Sequence, residues 1–223
     1  MQHIAIFDMD KTITAKATWT AFLVHSARAH APWRLTLAPA AMLAGLAYLV
    51  KAIDRAQLKQ VTQGLLLGRA LTPGAVAAMA RGFADHLFEK GVLEQAVSRI
   101  AADKAAGNRL VLATASYRFY AAEIARRLGF DDVIATGSEL DAAGALLPRI
   151  AGENCYGPAK LRMIEAWMTE QGIARQDAHI RFYSDHVSDA PVLDWADEAF
   201  AVNAHPPLAA LAKVKGWEPL DWR

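Results

Sequence analysis

Residues 4–12 read IAIFDMDKT: four apolar residues, Ile4-Ala5-Ile6-Phe7, followed at once by two carboxylates one residue apart, Asp8 and Asp10. An apolar run too short for a helix and closed abruptly by polar groups is the pattern of a strand buried on both faces, as in a parallel sheet. The pattern returns at Leu110–Ala113 before Thr114 and at Ile180–Tyr183 before Ser184-Asp185. Phe200-Ala201-Val202 before Asn203 is a fourth such run and Val133-Ile134-Ala135 a weaker fifth. Between them, Leu93–Ala106 closing at Gly107, Phe119–Leu128 closing at Gly129, and Lys160–Met168 have helical periodicity. The alternation predicts an α/β fold, a doubly wound, mainly parallel sheet covered by helices.

About a hundred residues separate Asp8 from Arg109, where a simple strand-helix-strand unit takes about 30. Residues 15–90 are therefore expected to form a helical cap inserted into a core made of residues 1–14 and 91–223. A shorter insert, Ser138–Gly152, carries Ala143-Gly144 between two apolar pairs and predicts a hairpin. Within the cap, Leu35–Val50 (LTLAPAAMLAGLAYLV) runs sixteen residues without a charge. That is short of the roughly 18–20 needed to cross a bilayer, and Pro39 and Gly45 interrupt it. The expectation is a helix, or a helix pair hinged near Pro39, packed into the cap. An exposed apolar face there would mark a dimer contact, a membrane-surface contact or a greasy substrate pocket, and the sequence does not divide these three.

Across 223 residues, 24 Lys+Arg against 23 Asp+Glu leave a net charge of +1. No overall basic field exists to hold nucleic acid or an anionic membrane, so neither is expected as a partner and any affinity for anions must be local. With 54% hydrophobic and 21% charged residues, disorder is excluded for most of the chain. The single cysteine, Cys155, can form no intrachain disulfide and no cysteine-based zinc site. It is expected to be a small buried residue, and the Trp residues 167, 195, 217 and 222 to be packing. A lone thiol fits a reducing compartment, and Met1-Gln2-His3 leads straight into the first strand, so a cytoplasmic location is expected. Oligomeric state is not readable.

Open α/β sheets bind ligands beyond the carboxyl ends of their strands, which singles out Asp8-Met9-Asp10, Thr114-Ala115-Ser116 and the Asp185–Asp189 stretch. Neighbouring carboxylates in a partly dry place repel unless a cation or a shared proton relieves them. Mg²⁺ suits such a site, because it takes a few carboxylate oxygens and keeps water or substrate phosphate elsewhere. Thr114 and Ser116, on either side of Ala115, offer hydroxyls and free main-chain N–H groups at a strand-to-helix turn, a place for phosphate oxygens. Lys160, after Gly157-Pro158, could add positive charge to the same anion.

In this order the motifs resemble those of the haloacid-dehalogenase-superfamily phosphatases, in the branch that includes phosphoserine phosphatase. The D-x-D-x-T motif is Asp8-Met9-Asp10-Lys11-Thr12, the strand ending in Ser or Thr is Val111–Thr114, the lysine is Lys160, and the acidic pair is Asp185 and Asp189. The resemblance implies Mg²⁺-dependent hydrolysis of a small phosphomonoester through an aspartyl phosphate on Asp8, with Asp10 as acid and base. It implies Mg²⁺ held by the Asp8 carboxylate, the Asp10 main-chain carbonyl and Asp185. Phosphate would lie against Thr114, Ala115 and Lys160, with Asp189 orienting Lys160 or a metal-bound water. Ser116 and His186 have competing roles as a helix cap and a rim residue, and Ser188 stands where relatives often carry Asn.

Phosphoserine phosphatases carry an acidic residue soon after D-x-D-x-T that meets the substrate ammonium, whereas Ala15–Thr20 holds no Asp or Glu. An amino-alcohol phosphate such as phosphoserine or histidinol phosphate and a lipid-like phosphomonoester remain open. So do phosphoryl transfer to another acceptor and a non-catalytic phosphate- or partner-binding role on the same fold.

Overall fold

The computed structural model describes every residue from Met1 to Arg223. Seven strands form one sheet: β1 (Gln2–Phe7), β2 (Arg109–Tyr117), β3 (Asp132–Leu140), β4 (Leu146–Ala151), β5 (Ala178–Ser184), β6 (Glu198–Val202) and β7 (Glu218–Leu220). Their spatial order is β4-β3-β2-β1-β5-β6-β7. Every neighbour pair is parallel except β3 with β4, the hairpin expected over Ser138–Gly152. The chain winds outward from β1 through β2 to β4, then returns to β5 on the other side of β1. The strand order thus reverses between β1 and β5, where a doubly wound sheet opens a crevice.

Alternation along the strands divides the core into two layers. Ala5, Phe7, Leu110, Leu112, Tyr183 and Phe200 face one side, and Ile4, Ile6, Val111, Ala113, Ile180 and Phe182 the other. Residues 15–90 hold four helices: α1 (Thr18–His30), α2 (Ala38–Leu49), α3 (Arg55–Leu66) and α4 (Pro73–Lys90), with a 3₁₀ turn over Pro32–Leu37. The rest of the chain supplies α5 (Glu94–Ala105), α6 (Arg118–Leu128), α7 (Pro158–Glu170), α8 (Ala190–Trp195) and α9 (Pro206–Lys215). Outgoing and returning chain run side by side at Thr14 and Val92, with Ala15 N–H donating to Gly91 O at 2.9 Å and Leu93 N–H to Ile13 O at 2.9 Å. A second tie joins Leu71 to Leu146 of the hairpin by reciprocal main-chain bonds of 2.9 and 2.8 Å.

Two expectations are corrected. Leu35–Val50 does not pack into the interior, since α2 has no buried residue. Its inward side, Ala41, Ala44, Gly45 and Ala47, is only half-buried, and its large aliphatic residues face out. Pro39 lies in the first turn of α2, following the 3₁₀ turn, rather than at a hinge between two α-helices, as its fixed φ and missing N–H favour. The edge strand β7 had no signal in the sequence, because Glu218-Pro219-Leu220 contains no apolar run.

Candidate functional site

Asp8 extends the β1 ladder by one bond, its N–H donating to Tyr183 O at 2.9 Å. The chain then turns through Lys11, at φ 62°, and Asn203 Nδ2 steadies the turn by donating to Lys11 O at 2.9 Å. This holds Asp8 and Asp10 at the mouth of the crevice. They line a small cleft of about 140 Å³ with Ala115, Lys160, Asp185 and Asp189, its rim including Lys11, Arg55, Tyr156 and His186. Six of the seven residues expected at the site therefore meet around one space. Thr114 does not line it: the side chain is buried beneath, and its hydroxyl accepts from Ser116 N–H at 3.1 Å.

At the cleft floor, the buried Lys160 ammonium donates to Asp8 Oδ1 at 2.8 Å and to Asp189 Oδ2 at 2.6 Å. Ser184 Oγ donates to the same Asp189 oxygen at 2.7 Å. Lys160 comes within reach because Gly157, at φ 60° and ψ −136°, turns the chain sharply into α7. Burial disfavours the ammonium, but Asp189 and Asp8 more than offset it and hold Lys160 above the ordinary lysine range. Asp8 is pushed up to about 7, chiefly by burial, with Lys160 opposing and Asp189 and Asp185 adding repulsion. Burial also raises Asp185 to about 6.

Asp10 sits differently. Its Oδ1 accepts from Thr18 N–H at 2.8 Å and Thr18 Oγ1 at 2.7 Å, and its Oδ2 from Ser116 Oγ at 3.0 Å. Tyr120 OH donates to Ser116 Oγ at 2.7 Å. The first turn of α1 and the end of β2 thus fix the Asp10 carboxylate, and Ser116 serves there rather than as a helix cap, since Tyr117 is the N-cap of α6 and no side chain caps it. His186 stacks on His205 with ring centroids 4.3 Å apart.

A divalent cation fits these residues. The Asp185 carboxylate, in a residue 5% exposed, has no hydrogen-bond partner in the protein, and Asp8 and Asp185 repel each other while burial resists the charge of both. No three His, Cys, Asp or Glu side chains gather to hold an ion alone, and the Asp10 carboxylate is engaged by Thr18 and Ser116. Asp8 and Asp185 would then need main-chain oxygen and water to complete a shell, a donor set that suits Mg²⁺. Cys155 is not a competing nucleophile, since burial pushes its thiol up to about 12.

Lys59 went unrecognised in the sequence. From α3 its buried ammonium donates to Ala115 O at 2.7 Å and Asn154 Oδ1 at 2.9 Å, and it lies 4.2 Å from the centre of the Tyr117 ring. Thr136 Oγ1 meets the same two acceptors at 2.8 and 3.0 Å. Burial lowers Lys59 to about 7. The residues that α3 buries are Lys59, Thr62, Gln63 and Leu66; the spacing is helical, but three of the four are polar, so hydrophobic periodicity passes over them.

The sequence matches the family model of the haloacid dehalogenase-like hydrolases over residues 5–194. A phosphoserine phosphatase of Mycobacterium tuberculosis is 33% identical over 118 residues, 53% of this chain and 37% of that protein, so the match spans well under half of that relative. A histidinol-phosphatase of Neisseria meningitidis is 27% identical over 119 residues, 53% of this chain and 54% of that protein. Among solved structures, a Bordetella pertussis protein of unknown function superposes with a TM-score of 0.88 at 28% identity, over 100% of both chains.

Proposed function

The chain belongs to the haloacid dehalogenase-like hydrolase family, and from that premise we propose that it hydrolyses a small phosphomonoester by way of a phosphorylated Asp8. The observation that carries this reading is the buried Asp8–Lys160–Asp189 array on the cleft floor, with bonds of 2.8 and 2.6 Å. Residues 1–14 and 91–223 act as the catalytic core and residues 15–90 as the cap that selects the leaving group.

An Asp8 carboxylate oxygen attacks phosphorus as the bond to the ester oxygen breaks, and Asp10, as the general acid, passes a proton to the departing alkoxide. Water then attacks the aspartyl phosphate, Asp10 takes a proton from it, and phosphate leaves with Asp8 regenerated. Thr18 and Ser116 keep the Asp10 carboxyl aimed through both halves. Lys160 balances the charge of Asp8 and of the phosphoryl oxygens, while Asp189 and Ser184 hold the ammonium in place. Asp8, Asp185 and the Asp10 carbonyl would hold Mg²⁺, which when bound supplies positive charge between nucleophile and phosphate. Ala115 offers its main-chain N–H to a phosphoryl oxygen, and the buried Thr114 supports that turn from below.

Both phosphoserine and histidinol phosphate are amino-alcohol phosphates, and the two relatives named for them support that substrate class. Purified protein with Mg²⁺ and a panel of phosphomonoesters is expected to release phosphate from at least one. Asp8→Asn is expected to cut the release by roughly a thousandfold or more. Unchanged turnover in Asp8→Asn would overturn the reading.

A further inference from the structure

We propose that the outer face of α2 is a docking surface for an anionic lipid membrane, on which the chain rests without crossing it. This proposal rests on the charge and apolar surface of residues 15–90, and it stands whether or not the reading of the cleft does.

The helix is built inside out for a water-facing element. Its large aliphatic residues are the exposed ones: Met42 is 72% exposed, Leu43 66%, Leu46 57%, Leu49 72% and Val50 76%. On a wheel of 3.6 residues per turn these positions share an arc about 120° wide. The half-buried opposite side is Ala41, Ala44, Gly45 and Ala47. A helix apolar all round belongs in a core or against lipid, and α2 is not in the core. Its 12 residues reach about 18 Å, too short to span a bilayer, and no helix of the molecule is long and apolar enough to cross one. Trp33, 62% exposed just before it, and Tyr48 near its end are side chains of the kind that settle at a membrane–water boundary.

Charge selects the occupant. The whole-chain value of +1 conceals a division: residues 15–90 carry nine Lys or Arg, eight of them besides the buried Lys59, against three Asp or Glu, and the remainder carries fifteen against twenty. Between Ala15 and Ala84 the only acid is Asp54, whose exposed carboxylate caps α3 by accepting from Gln57 N–H at 2.7 Å. At the end of α2, Tyr48, Lys51, Asp54 and Arg55 line one shallow cleft of about 540 Å³, two exposed cations to one exposed carboxylate. Basic groups flanking an exposed apolar face are what anionic headgroups attract. A second copy of the chain fits worse, because a two-fold contact through the uncharged α2 face would bring together two segments 15–90 that each carry this basic excess at its edge. Arg55 also lines the cleft that holds Asp8, so the docking face and that cleft adjoin.

The test is co-sedimentation of the full chain with vesicles of phosphatidylcholine alone or with phosphatidylglycerol added, at low and high salt. Binding is expected to the anionic vesicles, weakened by salt. It should fall roughly tenfold or more in Leu46→Glu/Leu49→Glu and also weaken in Lys51→Glu. Circular dichroism and urea unfolding, which a surface change should leave nearly unmoved, show that the variants fold. Failure to bind either vesicle, or equal binding by the folded double variant, would sink the proposal. So would a dimer that depends on Leu46 and Leu49, seen by sedimentation velocity without vesicle binding.

Discussion

At Asp8 burial and charge oppose each other. A carboxylate 7% exposed is raised to about 7, and Asp185 to about 6, both chiefly by burial. For an acid whose pKa is raised on folding, the associated stability is complete below the ordinary value of 3.8 and is lost as pH rises through the folded value. A bound cation reverses that loss by favouring the ionised form. The rise in melting temperature given by Mg²⁺ is thus expected to be small below pH about 6 and to grow through pH about 7. Asp185→Asn should flatten this dependence, and thermal unfolding with and without Mg²⁺ across that range checks it. These residues were legible as a linear pattern because each follows an apolar strand. Thr18 and Asn154 were not, because their partners Asp10 and Lys59 stand 8 and 95 residues away along the chain.

Among the elements, α7 depends on its entry. Gly157 adopts φ 60° with ψ −136°, a backbone region that is essentially glycine's alone. An added Cβ would find Ser188 O at 3.8 Å, so space is available and the cost is conformational. Gly157→Ala is expected to lose about 1–3 kcal/mol in urea unfolding and to lower phosphate release by shifting Lys160, three residues on. Undiminished stability in Gly157→Ala would refute the strain argument. Element type and order were readable from periodicity, since strands buried on both faces and helices closed by glycine advertise themselves. The exposure of α2 was not readable, because apolar composition states what a helix would prefer to touch and is silent on what lies beside it.

For the whole molecule, Lys59 is the tie between α3 and the Ala115 turn at the end of β2. Its charge is a cost: a lysine lowered to about 7 from 10.5 gives its full stability only above the ordinary value, and loses it as pH falls to the folded one. Replacing it with an uncharged chain of similar length removes the cost along with the two hydrogen bonds. The stability advantage of the wild type over Lys59→Met is therefore expected to be larger at pH 9 than at pH 7, by urea unfolding. An advantage that grows toward low pH would contradict this account. The sequence by itself determined the α/β order, the presence of helices between Asp8 and Arg109, the carboxylates at the strand ends and the lysine in the first turn of α7, because those depend on local periodicity and on where apolar runs stop. The tertiary structure alone decided that Asp10 is braced by Thr18 and Ser116, that Lys59 reaches Ala115, and that α2 turns its large side chains outward. Each of those is a contact, or the lack of one, between separate elements, Asp10 to Ser116 and Lys59 to Ala115 being 106 and 56 residues apart, and no local periodicity encodes it.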